Sequence, residues 1–269
     1  MQFADINGVT LHYQVISAAD DKPTIVFSNS LGTDFRIWRD VIIRFVGEAS
    51  IIMYDKRGHG LSDFVALPEG VAPKIDDHVN DLAGLLDHLG VTDAVICGLS
   101  VGGLIAQGLN FLRPDLVKAM VLCDTAAKIG DDETWNGRIE TIEKDGLAAT
   151  VDATMQRWFS PTFHNERADE LQGYINMFNR QPAEGYISTA IAIRDADLRG
   201  AASQTTTPTI CIVGEYDGAT PPAVVLELAK SIPDARYEVI KNAGHLPCVE
   251  QPEMLSEIIK AFLKDAKVT

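Results

Sequence analysis

The sequence predicts an α/β fold, a mostly parallel sheet flanked by helices and interrupted by a helical insertion. Three observations predict it. Short apolar runs of strand length recur up to residue 123 and again from residue 208, alternating with amphipathic helical stretches. Between about residues 130 and 200 those runs vanish, and helix formers, aromatic residues and charges take their place. A chain of 269 residues is long enough to bury an extensive core within one such unit. The expected division is a core built from residues 1–129 and 201–269, with residues 130–200 forming a helical cap.

Each element has its own justification. Residues 9–15 alternate in side-chain character and carry β-branched side chains, as a strand does. After a turn at Asp20-Asp21-Lys22-Pro23, residues 24–28 are continuously apolar, the signature of a strand buried on both faces. Residues 51–54 repeat it and lead into Asp55-Lys56-Arg57-Gly58-His59-Gly60, a glycine-rich loop expected to shape the floor of a site, with Arg57 and Asp55 as structural partners. Asp76-Asp77 is the expected cap of a surface helix whose apolar residues Val79, Leu82, Leu85, Leu86 and Leu89 recur at helical spacing before Gly90. Residues 94–97 form the next buried strand, followed by a turn at residues 98–102 and a helix that Pro114 stops. Residues 119–123 are a strand ending at Asp124. Asp131-Asp132-Glu133 reads as a helix N-terminus. Strands at residues 208–213 and 237–240 and an amphipathic helix at residues 253–264 complete the chain.

Composition narrows the function. An apolar share of 46% and a charged share of 23% are those of a soluble globular protein. A net charge of −15 speaks against nucleic acid or an anionic membrane as partner. It would also repel an anionic substrate at long range, so such a substrate needs a local cation. No segment approaches the roughly 20 apolar residues of a membrane span. The N-terminus shows no basic region followed by an apolar stretch, so a cytoplasmic location is expected. Cys97, Cys123, Cys211 and Cys248 lie far apart without a CxxC pair, which suits reduced buried thiols better than a disulfide or a zinc site. No metal and no cofactor is implied, and the oligomeric state is left open.

Gly98-Leu99-Ser100-Val101-Gly102 matches G-x-S-x-G, the nucleophile elbow, and stands where that motif requires, after a buried strand and at the start of a helix. The chemistry explains the spacing. The serine must sit on a strained strand-to-helix turn to project its hydroxyl, and side chains two residues to either side would collide there. The spacing G-x-G-x-x-G of a dinucleotide loop is absent. Of six histidines, only His245 follows the serine, leaves a buried strand and lies in a loop, Asn242-Ala243-Gly244-His245-Leu246-Pro247. It is the candidate general base and acid. Asp217, directly after the strand ending at Val213, is the candidate acid behind it. Asp124 is the next choice, and Glu215 is close in sequence. The oxyanion hole is expected from the backbone N–H groups of Val101 and Leu31.

With these residues in place the chain resembles the α/β-hydrolase superfamily over essentially its whole length. Within it the sequence is most similar to the 3-oxoadipate enol-lactonase family of the β-ketoadipate pathway of aromatic compound degradation. The likeness rests on Ser28-Asn29-Ser30-Leu31-Gly32-Thr33, the Tyr54–Gly60 stretch, Cys97-Gly98-Leu99-Ser100, residues 123–130 (Cys-Asp-Thr-Ala-Ala-Lys-Ile-Gly) and Arg157-Trp158-Phe159. Val101 departs from it, standing where such lactonases often carry methionine. The resemblance implies a small lactone with an acetate arm as substrate, and a helical insertion that caps the site. It also points to Trp135 and Arg138, a Trp-x-x-Arg pair on one helical face, as apolar wall or indole donor and as carboxylate clamp. Arg157, Arg180 and Arg194 compete for the clamp. A carboxylesterase or C–C bond hydrolase using the same triad, or a non-catalytic receptor retaining the pocket, are the rival readings.

Overall fold

The computed structural model describes residues 1–268. Those residues form one eight-stranded sheet of strands β1 (Gln2–Ile6), β2 (Val9–Ile16), β3 (Thr24–Ser28), β4 (Ser50–Tyr54), β5 (Ala94–Leu99), β6 (Val117–Cys123), β7 (Thr209–Gly214) and β8 (Arg236–Ile240). They run in the order β1-β2-β4-β3-β5-β6-β7-β8. β2 pairs antiparallel with β1 and β4, and every pairing from β4 across to β8 is parallel.

Burial follows position in the sheet. β5 and β7 are buried at every residue, because helices cover both of their faces. The edge strands β1 and β8 are largely exposed. Helix Val101–Leu112 lies against β3, β5 and β6, and helix Ile75–Leu89 packs on it. Val79, Leu82 and Leu86 of the latter are fully buried, each such side chain contributing about 1.5–3 kcal/mol. From β6 to β7 the described residues contain no strand, and helices run from Asp132–Asp145 through Ala183–Asp195 to Arg199–Ala202.

Four expectations need correction. β1 had not been anticipated: Gln2–Ile6 is short and ends in Asn7-Gly8, whose φ values of 56° and 77° make the tight hairpin into β2. Helix Ile75–Leu89 starts after Lys74, and Asp77 caps it by reaching back to the Lys74 N–H at 2.8 Å. His78 on that helix is buried, 2% exposed, although a surface helix was expected. Arg57 and Asp55 are not partners of each other. Arg57 forms a two-pronged pair with Asp81 at 2.6 Å to each oxygen, while Asp55 accepts from His12 Nδ1 at 2.8 Å. All four cysteines are buried and unpaired. No helix among the described residues is long and apolar enough to cross a membrane.

Candidate active site

Parallel strands that end together present their following residues on one rim of the sheet. β5 delivers Ser100, β6 delivers Asp124, the loop after β7 carries Asp217 and the loop after β8 carries His245. Ser100 has φ 59° and ψ −117°, a left-handed backbone that costs a non-glycine residue about 1–3 kcal/mol. Neighbouring bonds hold it there. Its N–H donates to Cys123 O at 2.9 Å, and its carbonyl accepts from Thr125 Oγ1 at 2.7 Å and from Gly103 N–H at 2.8 Å. The two motif glycines are sterically required. A Cβ on Gly98 would run into the Gly102 carbonyl, and a Cβ on Gly102 into the Ser28 carbonyl.

His245 is 2% exposed, and its Nδ1 lies 3.0 and 2.9 Å from the two carboxylate oxygens of Asp217. Asp217 also accepts from Ala219 N–H (2.7 Å), Thr220 N–H (3.0 Å) and Thr220 Oγ1 (2.7 Å). Burial alone would raise its pKa, but His245 and these donors outweigh burial and hold the carboxyl below its ordinary value. An ionised Asp217 fixes the proton of the ring on Nδ1 and leaves Nε2 as the acceptor. His245 and Ser100 border the same cavity, of about 220 Å³.

The two other acids are arranged differently. Glu215 turns away to accept from the Asn242 N–H at 3.2 Å. Asp124 is fully buried, and its Oδ1 accepts from Gly214 N–H at 2.9 Å while Oδ2 has no partner. Burial first, and then the charge of Asp217, push its pKa well above the ordinary carboxylate range. Asp124, Asp217 and His245 each bring a donor atom within 4.8 Å of the others, a spacing that could hold a cation. As the group stands, a cation would have to displace the proton shared by His245 and Asp217.

Leu31 follows β3 and lines the cavity with Ser30, while Val101 opens the helix after Ser100. Among the described residues neither of their N–H groups is occupied by a protein acceptor. Helix Asp132–Asp145, capped by Asp131 accepting from Thr134 N–H at 2.8 Å, brings Trp135 and Arg138 to the wall of the same cavity. The Trp135 indole donates to Ile129 O at 2.7 Å, so it is a wall and has no donor left to offer. The Arg138 guanidinium lies 5.6 Å from the Tyr186 ring centre and donates to Thr154 Oγ1. Of the competing arginines, Arg180 borders a different cavity and Arg194 is engaged by Asp195 and Asn136. Arg157 does line the site, and burial together with the charge of Arg138 lowers its pKa.

Sequence reasoning missed the brace between insertion and core. The N–H of His245 donates to Trp158 O at 2.8 Å and that of Gly218 to Arg157 O at 3.1 Å. Glu250, buried, accepts from Gly244 N–H at 2.6 Å and from Ser160 N–H at 3.0 Å. No local pattern around Glu250 announces this, since its partners lie 90 residues apart and six residues back.

The sheet order and the serine elbow at its rim define the class: the chain belongs to the alpha/beta hydrolase fold family, whose profile matches residues 23–252. It is similar to 3-oxoadipate enol-lactonase 2 of Acinetobacter baylyi, with 33% identity over 95% of this chain and 94% of that one. With 3-oxoadipate enol-lactonase 1 of the same organism the identity is 34% over 96% and 94%. The crystal structure of the enol-lactonase from Burkholderia xenovorans superposes with a TM-score of 0.90 at 33% identity, covering 98% of this chain and all of that one. The resemblance to enol-lactonases seen in the sequence is therefore borne out.

Proposed function

We propose that this protein opens the lactone ring of 3-oxoadipate enol-lactone to 3-oxoadipate, with Ser100 as nucleophile, His245 as general base and acid, and Asp217 as the orienting carboxylate. The observation that carries the reading is the pair Arg138 and Arg157 on the wall of the cavity bordered by Ser100 and His245, where Arg138 donates to Thr154 and neither arginine is in an ion pair among the described residues. In a chain of net charge −15, such a pair is a local site for an anion. Similarity to enol-lactonases along the whole chain supplies the particular anion.

The geometry supports the following chemistry. Ser100 Oγ bonds to the ring carbonyl carbon as its proton passes to His245 Nε2, and Asp217 stabilises the imidazolium. The oxyanion is met by the N–H groups of Leu31 and Val101. The bond from that carbon to the ring oxygen then breaks. The oxygen leaves as an enolate, a better leaving group than an alkoxide, and the proton held by the imidazolium passes to it, which returns His245 to the neutral form. Tautomerisation to the ketone makes ring opening hard to reverse. Water, giving a proton to the neutral His245, then attacks the acyl carbon; the bond to Ser100 Oγ breaks, Oγ takes that proton back from His245, and the product is released. Residues 130–200 act as the cap, with Trp135 as apolar wall and Arg138 and Arg157 on the acetate arm.

The test is the ultraviolet absorbance of 3-oxoadipate enol-lactone. The expected result is rapid loss with the wild type and none with Ser100→Ala. Turnover of aryl esters with no turnover of this lactone would keep the serine hydrolase and remove the substrate.

A further inference from the structure

Lys56 sits in the loop after β4 and is 1% exposed, one of the largest fully buried side chains of the molecule. Its Nζ donates to the carbonyl of Ser30 at 2.7 Å. That carbonyl also accepts from Thr33 Oγ1 at 2.9 Å and, at greater length, from Thr33 N–H (3.4 Å) and Asn29 Nδ2 (3.5 Å). Such convergence on one oxygen is unusual, and Lys56 is the ionisable member of the set. The next residue, Gly32, is held from the same loop, its N–H donating to His59 Nε2 at 3.1 Å. His59 is kept in the accepting tautomer by Nδ1 donating to Arg57 O at 3.2 Å.

The Ser30 carbonyl and the Leu31 N–H belong to one peptide unit. In a planar trans peptide the two point in opposite directions. Drawing the carbonyl toward Lys56 therefore turns the N–H away from Lys56, and Ser30 and Leu31 both line the cavity that Ser100 and His245 border. We propose that Lys56 is a positioning residue for the oxyanion hole: it fixes and polarises the Ser30–Leu31 peptide so that the Leu31 N–H is aimed at the oxygen that gains charge when Ser100 attacks. This rests on the serine hydrolase reading above.

Two physical points favour this over a role in folding alone. Burying an ammonium is expensive, and a neutral side chain could fill the same space. Burial draws the Lys56 pKa down to about 7 even though Asp55 and Asp34 pull it upward. His59 and His78, the other titratable groups facing it, are held neutral by burial and by Lys56 itself. A polarised peptide is also a better hydrogen-bond donor, and in a water-poor site that advantage falls on the transition state.

The experiment compares wild type, Lys56→Met and Lys56→Gln on an aryl acetate, with an aryl trifluoromethyl ketone as the probe that forms an oxyanion on the serine. Removing a whole oxyanion donor lowers kcat about 10²–10³-fold, so loosening one should lower it by about 10–100-fold in Lys56→Met. KM should stay within about threefold, and the inhibition constant of the ketone should rise by the same factor as kcat/KM falls. Lys56→Gln, which keeps a neutral donor, should recover part of both losses together. Should Lys56→Met fail to fold, judged by circular dichroism, Lys56→Gln alone decides, since its losses in turnover and ketone affinity must still match. Unchanged turnover in the variants, or a fall in turnover without a matching loss of ketone affinity, overturns the proposal. A wild type that does not cleave the ester, or a Ser100→Ala variant that cleaves it as fast as wild type, would instead overturn the serine hydrolase reading.

Discussion

The backbone N–H of His245 donates to the carbonyl of Trp158 at 2.8 Å, so the loop bearing the imidazole is bound directly to the helical insertion. Glu250 reinforces the same seam through Gly244 and Ser160. The loop that carries the base and the insertion that walls the cavity are thereby fastened to each other.

Glu250→Ala should therefore affect both stability and catalysis. Two backbone N–H groups and the Ser160 hydroxyl lose their acceptor in a buried place, a loss of about 1–3 kcal/mol. A fall in melting temperature accompanied by a drop in kcat is expected. Full kcat in a destabilised Glu250→Ala would separate the brace from the chemistry.

The two neighbouring carboxyls should respond in opposite ways to the same change. Burial and the charge of Asp217 disfavour the ionised form of Asp124, and Asp124→Asn keeps an oxygen that can accept from Gly214 N–H, so it should leave kcat within about tenfold. Asp217→Asn removes the charge behind His245 and permits the wrong tautomer, with an expected loss on the order of 10⁴-fold. Equal damage from the two substitutions would show that the acid has been wrongly assigned.

Arg138→Ala and Arg157→Ala should discriminate by substrate charge. Each charge-assisted contact to a carboxylate is worth about 1.5–3 kcal/mol, hence about 10–100-fold in kcat/KM for a substrate with a carboxylate arm. A neutral aryl ester should feel little of this. Equal losses on both substrates, measured side by side, would mean that the arginines act by packing against Trp135 and Tyr186.

His78 should make the fold acid-sensitive. Burial, aided by the charges of Lys56 and Arg57, lowers its pKa from 6.5 to about 3. Above pH 6.5 the ring is neutral in both states. Between that pH and about 3 only the unfolded chain takes up the proton, so stability falls as pH falls. From pH 7 to pH 5 this amounts to about 2 kcal/mol. Urea midpoints at the two pH values should converge for His78→Leu relative to wild type, and parallel shifts in the two proteins would refute the assignment.

Most of the sheet was legible because buried parallel strands are continuous apolar runs and need no partner to be recognised. β1 escaped because an exposed edge strand has no such run. Its one local signal, Asn7-Gly8 between Ile6 and Val9, is a hairpin signature, but the strand before it buries only Ile6. His78 escaped because helical spacing marks the apolar face of a helix but cannot say how far a neighbouring helix and loop extend that cover. The Asp55–Gly60 loop was expected to shape the floor of a site, but its pairings, Arg57 with Asp81 and Asp55 with His12, join residues 24 and 43 positions apart.

Sequence alone determined the class of chemistry, because an elbow serine between two glycines, after a buried strand, has few other uses, and because chain order singled out His245. Tertiary structure decided which acid meets the imidazole, which arginines face the cavity, and that the Trp135 indole is already bound to Ile129. The reason is physical: backbone geometry that a motif encodes is local, whereas the direction of a charged or polar side chain is set by partners that only folding brings within 3 Å or so of it.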